Sequence, residues 1–414
     1  MLDFLTEEVK NELVEVERGL TWTRRDENRA KRWDHMFNPA LFEGQEDVQA
    51  SVDMSKDPVL DHYKMSAADR VRLRWETEFL MDNMVAYAHE SEAGQGVLTE
   101  TTSSTAIAAF TTWALPMVRK YLPRQFLRQI VPSYPMSQPT GKLFTADTTY
   151  GSGGTYASGT SIYDSFDPTY AADQGECAAP HELNFTVTDT DITAISKKLK
   201  GVWSIEAAQN LQSYHRLVME NEVIRSLGEQ INREIDRYGI NALVAGATTT
   251  TYWNSTQPMA AANGWSNATP RQYNESLWDA IEDANRAIKD SKYVNGNFLL
   301  CGTTFASRLR KLNGFRLAHS NDEVEADVVT GPNLFGTLNG RYRLYEDVDF
   351  AADKCLIGHK PSSWKYTGAA LSMYVPVWRT PIIHTTTMCP GVGYLSRFAF
   401  TVVDGDFYGM IIVS

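Results

Sequence analysis

The stretch "IVPSYPMSQPTGKLF" (residues 130–144) places three of the chain's 16 prolines, Pro132, Pro135 and Pro139, within eight residues and just ahead of a strand-like run. Proline fixes φ near about −65° and removes a backbone donor. The segment is therefore excluded from helix interiors and central strands. It is predicted to be an extended lead-in that aims the next strand in a set direction.

Beyond Phe144 the texture changes. "TYGSGGTYASGTSIYDSFDPTYAADQGECAAP" (residues 149–180) is rich in Gly, Ser, Thr, Ala and Tyr and poor in large aliphatics. A second strand-like run follows, with Leu183, Phe185 and Val187 in alternation. Two strands joined by about thirty weakly hydrophobic residues make a long arm, and a structureless loop of that length is uncommon inside a compact domain. Such an arm buries too little apolar surface to offset its ordering entropy, so a group outside the subunit is expected to order it.

Next comes the strongest helical pattern. Ser204 is the expected N-cap, with Glu206 in the first turn. Ile224, Leu227, Ile231, Ile235 and Tyr238 form one stripe, while Glu222, Arg225, Glu229, Arg233 and Asp236 read as a salt-bridged, solvated surface. A weak point near Ser213–Tyr214 divides a short helix from a long one of about 25 residues, roughly 38 Å. Residues 249–272 read as a polar loop. After it come a helix marked by Leu277, Ile281, Ala284 and Ile288, a buried strand "FLLCG", and a helix over Thr303–Leu312. Asn339-Gly340 signals a hairpin within Phe335–Val348. "KCLIG", "LSMYVPVW" and the last 21 residues supply further strands. The fold class is α+β.

On the N-terminal side, Leu5, Val9, Leu13, Val16 and Leu20 recur at helical spacing, and a second helix is expected after Ser66 through Arg70–Tyr87. These read as a helical subdomain with solvated charged faces, or as an arm that packs on other chains. Gly94–Ala106 is loop-like, a short helix carries Ile107, Phe110 and Ala114, and Pro116 starts a new turn.

Composition narrows the function. With 414 residues, 43% hydrophobic and 11% aromatic, the chain has the make-up of a folded protein. Its formal net charge of −12, with no long basic run, argues against a tight grip on duplex nucleic acid. The N-terminus lacks the basic flank and apolar core of a signal peptide, and no apolar run is long enough for a membrane span. Cys177, Cys301, Cys355 and Cys389 lie too far apart for a CxxC metal site and read as structural thiols. No phosphate-binding loop, HExxH, GxSxG or calcium-loop pattern occurs. The glycines of "YGSGGTYASG" lack the Lys-Ser/Thr and helix start of a phosphate cradle, and His215 and His384 read as satisfied core or helix-end residues. Catalytic, metal and cofactor sites are therefore assigned to no residue.

Three stretches carry a family resemblance. They are "PMVRKYLPRQFLRQIVPSYPMSQPTGKLFTADTTYG" with its Pro135–Gly141 core; "KKLKGVWSIEAAQNLQSYH" followed by Gln230–Glu234; and "GTLNGRYRLY" (residues 336–345) with "MYVPV" and "GYLSRFAF". In this order, over roughly residues 100–414, they resemble the major capsid proteins of tailed phages with the HK97-like fold, particularly the T-even-like branch. The resemblance implies a helical N-terminal arm (1–105), a lead-in segment of the peripheral domain (106–140) and an extended loop (141–200). It further implies a peripheral spine helix (201–250), an axial domain (251–375) and peripheral return strands (376–414). It implies no enzyme activity and no cofactor, but self-assembly into hexamers and pentamers of an icosahedral shell around double-stranded DNA, which is enclosed without sequence-specific binding and without a membrane. The place would be the virion capsid, assembled in the host bacterial cytoplasm. Further implied partners are scaffolding, portal, vertex or decoration proteins.

The extended loop would lie over a neighbouring subunit, with Tyr150, Gly151, Gly153, Tyr156, Tyr163, Phe166 and Tyr170 in subunit contacts, and Asn339 and Gly340 in the axial ones. The loop is too short for the inserted domain of some T-even-like members. Proteases of that branch cut after glutamate, which makes "LFE" (41–43) and "LTE" (98–100) candidates; the expectation is no removal before Leu98. Rival readings are an encapsulin-like compartment shell, a two-domain enzyme with a lid at about 150–180, and another structural phage protein such as a tail component.

Overall fold

The computed structural model describes residue 29 and residues 67–92, 125–152, 155–162, 165–168, 170, 181–215, 219–254, 270–317, 332–361, 367–379, 383–384 and 389–413. The expected helix at residues 5–20, the segments at 94–122, both candidate cleavage sites, Gly153, Tyr163 and Cys177 lie outside the described residues.

In chain order the helices are α1 (Ala67–Glu92), α2 (Leu127–Ile130), α3 (Ile205–His215), α4 (Met219–Gly246), α5 (Pro270–Lys292) and α6 (Thr303–Leu309). The strands are β1 (Ser133–Pro135), β2 (Thr140–Tyr150), β3 (Leu183–Thr193), β4 (Ile195–Val202), β5 (Thr249–Trp253), β6 (Phe298–Cys301) and β7 (Phe315–Leu317). They continue as β8 (Asn333–Leu338), β9 (Tyr342–Glu346), β10 (Lys354–Gly358), β11 (Ala369–Arg379), β12 (Ile383–His384), β13 (Pro390–Val402) and β14 (Tyr408–Val413). They build a five-stranded sheet around β11 and β13, a seven-stranded sheet in the order β5-β14-β10-β6-β9-β8-β7, and a separate ribbon of β2 and β3. The α+β expectation holds.

The proline segment forms the edge of the five-stranded sheet, where β1 runs parallel to β11. The Pro132 carbonyl accepts from Leu371 N, and Met136 N donates to the Met373 carbonyl. Alternation along the strand then turns Ser133 and Pro135 outward, so the donor that Pro135 lacks is one the ladder does not need. The Ser133 carbonyl is satisfied on that outer side by the Arg72 guanidinium at 3.0 Å.

Helix α1 covers this edge. Its inner face buries Leu73, Leu80, Met81 and Met84, and also Glu76, Glu78 and Asn83, which corrects the expectation of solvated charges there. Glu76 pairs with the buried Arg128 and with Arg72, Glu78 with Arg74, and Asn83 Nδ2 bridges the carbonyls of Met136 and Tyr374. Buried charges persist only when paired in this way.

Ser204 caps α3 as expected, its Oγ accepting from Ala207 N at 3.2 Å. The helix ends at His215 and α4 begins at Met219, which bears out the break near Ser213–Tyr214. Ile224, Leu227, Ile231 and Ile235 of α4 are buried, while Tyr238 is half out and meets Phe398 edge-on. Arg225 and Glu229 pair in the open. Asp236 departs from that surface pattern and is buried.

One core runs from α4 through β11 and β13 to the near face of the seven-stranded sheet; a second lies between the far face and α5 and α6. Strand β6 serves both. Phe298 and Leu300 point into the first core, Leu299 and Cys301 into the second, hence the uninterrupted apolar run. Leu277, Ile281, Ala284 and Ile288 of α5 fill the second core as their spacing predicts.

Three expectations change. "TTTYW" is strand β5 rather than loop, because its β-branched and aromatic residues pair with β14. The last strand, β14, joins the seven-stranded sheet and not the five-stranded one. The boundaries drawn at 140–141, 250–251 and 375–376 fall within β2 and β5 and inside β11. Sheet membership depends on pairings distant in sequence, which composition along the chain does not reveal.

Candidate assembly surface

Strands β2 and β3 are antiparallel and in register over their whole length, from Thr140 opposite Thr193 to Tyr150 opposite Leu183. At about 3.4 Å per residue, eleven residues reach roughly 36 Å. An isolated two-stranded ribbon of this kind is marginal in water.

Residues directly opposite in an antiparallel pair share a face. One face of the ribbon is threonine-rich: Thr145, Thr149, Thr186, Thr188 and Thr190, with Thr149 and Thr186 hydroxyls 3.3 Å apart. The other presents Phe144 (58% exposed), Leu183 (54%), Phe185 (58%) and Val187 (55%). Toward the body this face turns ionic. Lys142 pairs with Asp189 and Asp191, and the hydrogen bond to Lys142 holds the Asp189 carboxyl below its ordinary range. Four large apolar side chains on one open face are what an interaction surface shows.

The tip folds on itself. Tyr150 and Tyr170 are buried against each other, with ring centroids 4.6 Å apart, and Tyr156 stacks on Tyr150. The Tyr150 hydroxyl accepts from Asp167 N at 3.0 Å. The Tyr170 hydroxyl accepts from Gly151 N at 2.9 Å and donates to the Glu182 carbonyl. Asp167 Oδ2 in turn accepts from Thr155 N. Gly151 is needed because a Cβ there would stand 2.6 Å from the Glu182 carbonyl oxygen. The arm thus supplies part of its own order through tyrosine hydroxyls and rings, which a count of aliphatics does not register.

The sequence-derived contact residues accordingly divide. Tyr150, Gly151 and Tyr170 are interior to the tip; Tyr156 and Phe166 are exposed, Phe166 at 65%. Asn339 and Gly340 form the exposed β8–β9 turn with φ of 49° and 69°, and Asn339 N donates to the Gly314 carbonyl. The turn expectation is met, in a different sheet from the ribbon. The stripe of Phe144, Leu183, Phe185 and Val187 went unrecognised as surface, although its alternation was legible; the signal was the continuation of the same face into Asp189 and Asp191.

Among the described residues, no cluster of three or more His, Cys, Asp or Glu gathers in a metal-holding arrangement, and no helix is long and apolar enough to cross a membrane. The side chains of His215 and His384 lie outside the described residues.

A ribbon thrown out from a two-sheet body, followed by a capped spine helix and strands that return to both sheets, is the order of parts expected of an HK97-like capsid subunit. The model of the major capsid protein Gp23 family matches residues 167–410, more than half the chain, and the chain belongs to that family. It is 24% identical over 234 residues to the major capsid protein of Vibrio phage KVP40, covering 54% of this chain and 46% of that one. To the major capsid protein of Enterobacteria phage T4 it is 21% identical over 234 residues, covering 54% and 45%. The chain spans about half the length of the curated relatives it matches. Among solved structures, the capsid of Myoviridae phage XM1 superposes with a TM-score of 0.44 at 10% identity, covering 70% of this chain and 92% of that one. The virus-like particle from Pyrococcus furiosus gives 0.40 at 9% identity, covering 72% and 95%. The family is one of capsid proteins and not of enzymes, so the lid and tail readings are not favoured.

Proposed function

We propose that this chain is the shell-forming subunit of a tailed-phage capsid, assembling through copies of itself into hexamers and pentamers that enclose double-stranded DNA. The observation that carries the reading is the β2–β3 ribbon, on which Phe144, Leu183, Phe185 and Val187 are each more than half exposed, while the two sheets of the body bury their apolar residues in two clusters. In this reading the ribbon lies over a neighbouring subunit, and Tyr156 and Phe166 at its tip are contacts. Residues 201–250 form the peripheral spine, and the seven-stranded sheet carries the axial contacts, with the Asn339–Gly340 turn among them. Heterologous contacts of this kind close into rings when the rotation closes. Each contact is weak, and a subunit that touches several neighbours gains by multivalency.

The net charge of −12 suits a wall that must not trap DNA during packaging. Scaffolding, portal, vertex or decoration proteins are the partners such a shell recruits, and the shell is built in the host cytoplasm. Deleting Gly151–Ala179 tests the reading. The variant is expected to remain folded by circular dichroism and to lose assembly; assembly at the wild-type level would contradict the role given to the arm.

A further inference from the structure

Cys301 and Cys355 are far apart in sequence and directly opposite one another on the antiparallel strands β6 and β10. At the next pair along, Gly302 N donates to the Lys354 carbonyl at 3.1 Å. Ladder hydrogen bonds alternate between pairs, so the two cysteines form a non-hydrogen-bonded pair. Such pairs bring their Cα atoms to about 4.5 Å and hold their side chains closest. A disulfide spans about 4.4–6.8 Å between Cα atoms, so the backbone is already placed for one.

The sulfurs meet as well. Residues directly opposite share a face, and both side chains lie fully buried in the core between the sheet and helices α5 and α6. The Cys301 thiol donates to the Tyr345 carbonyl at 3.2 Å. In its contact with Cys355, Cys301 is therefore the acceptor, and the Cys355 thiol is directed at its sulfur. Among the described residues no third His, Cys, Asp or Glu joins the pair in a metal-holding cluster. The chemistry that remains is that of a dithiol.

The position decides what a bond would do. In the seven-stranded sheet β10 continues to β14 and β5, while β6 continues to β9, β8 and β7. A bond across β6 and β10 ties these two halves and closes a long loop that holds α6, β7, β8 and β9. Closing a long loop restricts the unfolded chain more than closing a short one.

We propose that Cys301 and Cys355 are a redox-convertible pair, thiols in reducing surroundings and a disulfide staple across the β6–β10 seam in the presence of a small disulfide oxidant. One cysteine thiolate attacks a sulfur of the oxidant and expels half of it as a thiolate. The second cysteine sulfur then attacks the first, forming the Cys301–Cys355 bond and expelling the other half. The cysteines lose two electrons and two protons, and the oxidant leaves as two thiols. Burial holds the Cys355 thiol in its protonated form, so the exchange passes through brief openings of the seam and is slow. A reducing cytosol keeps such a pair as thiols, and oxidising surroundings outside a cell convert it. None of this rests on the shell reading, and a chain that never assembles would form the same bond.

The test uses the full chain and oxidised glutathione, in two arms: the folded protein, and protein refolded from denaturant in the same buffer, where access is not limiting. Free thiols are then blocked in denaturant, and disulfides are located by peptide mass mapping. The expected product is a peptide pair joined through Cys301 and Cys355, in the refolded arm at least. The melting temperature is expected to rise by about 5 °C over the reduced chain and to fall back on reduction. Cys355→Ala abolishes both the linked peptide and the shift, and Cys389→Ala, outside the seam, keeps them. No linked peptide in either arm, glutathione adducts in its place, or a linked chain that melts no higher than the reduced one overturns the inference.

Discussion

Asp236 of α4 accepts the backbone N–H groups of Phe126 and Leu127 at 3.3 and 3.1 Å, tying the spine helix to the segment that leads into the prolines. The carboxyl is buried, with Asp347 close by; Arg128 and the two N–H donors act the other way. Asp347 faces Arg237, Arg233 and Asp349. Burial wins, and the Asp236 carboxyl is pushed up to about 7.

A pH dependence follows from that balance. The folded chain holds the proton to about pH 7, the unfolded chain only to about 4. The group therefore contributes stability that is complete below about pH 4 and lost as the pH rises through about 7, up to about 4 kcal/mol for a three-unit shift. Asp347, raised in the same direction by burial, adds to the slope. Asp236→Asn, neutral throughout and still an acceptor, is expected to flatten the stability profile between about pH 4 and 7 in urea unfolding. An unchanged slope would place the titration elsewhere.

Gly239, on the same helix, faces Leu127. A Cβ there would stand 2.3 Å from Leu127 Cδ1, and Leu127 is fully buried. Gly239→Ala gains about 0.5–1 kcal/mol of helix propensity and incurs an overpacking cost of about 1–3 kcal/mol. The cost is expected to win, lowering the urea midpoint; a raised midpoint would mean the lead-in shifts freely.

Gly340 sits at φ 69° with open space around its Cα, so Gly340→Ala should cost only the left-handed backbone penalty, about 1–2 kcal/mol. Gly302→Ala should cost more. Its Cβ would stand 2.2 Å from the Ala351 carbonyl oxygen and 2.6 Å from Ala352 Cα, which are backbone atoms that cannot rotate away. Equal melting temperatures for the two variants would contradict this ordering.

Cys301 and Cys355 are register partners on β6 and β10, both fully buried. Burial pushes the Cys355 thiol well above its ordinary value, and the Cys301 thiol donates to the Tyr345 carbonyl. Both are expected to resist alkylation in the native protein and to react at once in denaturant, as read by peptide mass mapping. Rapid native labelling of either would show that the seven-stranded sheet opens.

Much of this architecture was legible in the sequence, for reasons that differ by element. Ser204, the Ile224–Ile235 stripe and the Leu277–Ile288 stripe follow local rules, with every signal within a few turns. The prolines exclude β1 from a sheet centre, and Asn339-Gly340 fixes a turn by its backbone alone. What escaped depends on distant pairing. Nothing near residue 236 distinguishes a capping carboxylate from a solvated one, since its partners lie about 110 positions away. Strand β14 chose between two sheets through partners at Thr249–Trp253 and Lys354–Gly358. In the ribbon, alternation gave the strands, but period two marks a face without saying whether the subunit or a neighbour covers it.

The most direct measurement is sedimentation velocity on the native full chain, with electron microscopy of the fastest fraction. Closed shells or six-fold rings are the expected result. A stable monomer or dimer, with the ribbon face still open, would contradict the central claim that this subunit is completed by copies of itself.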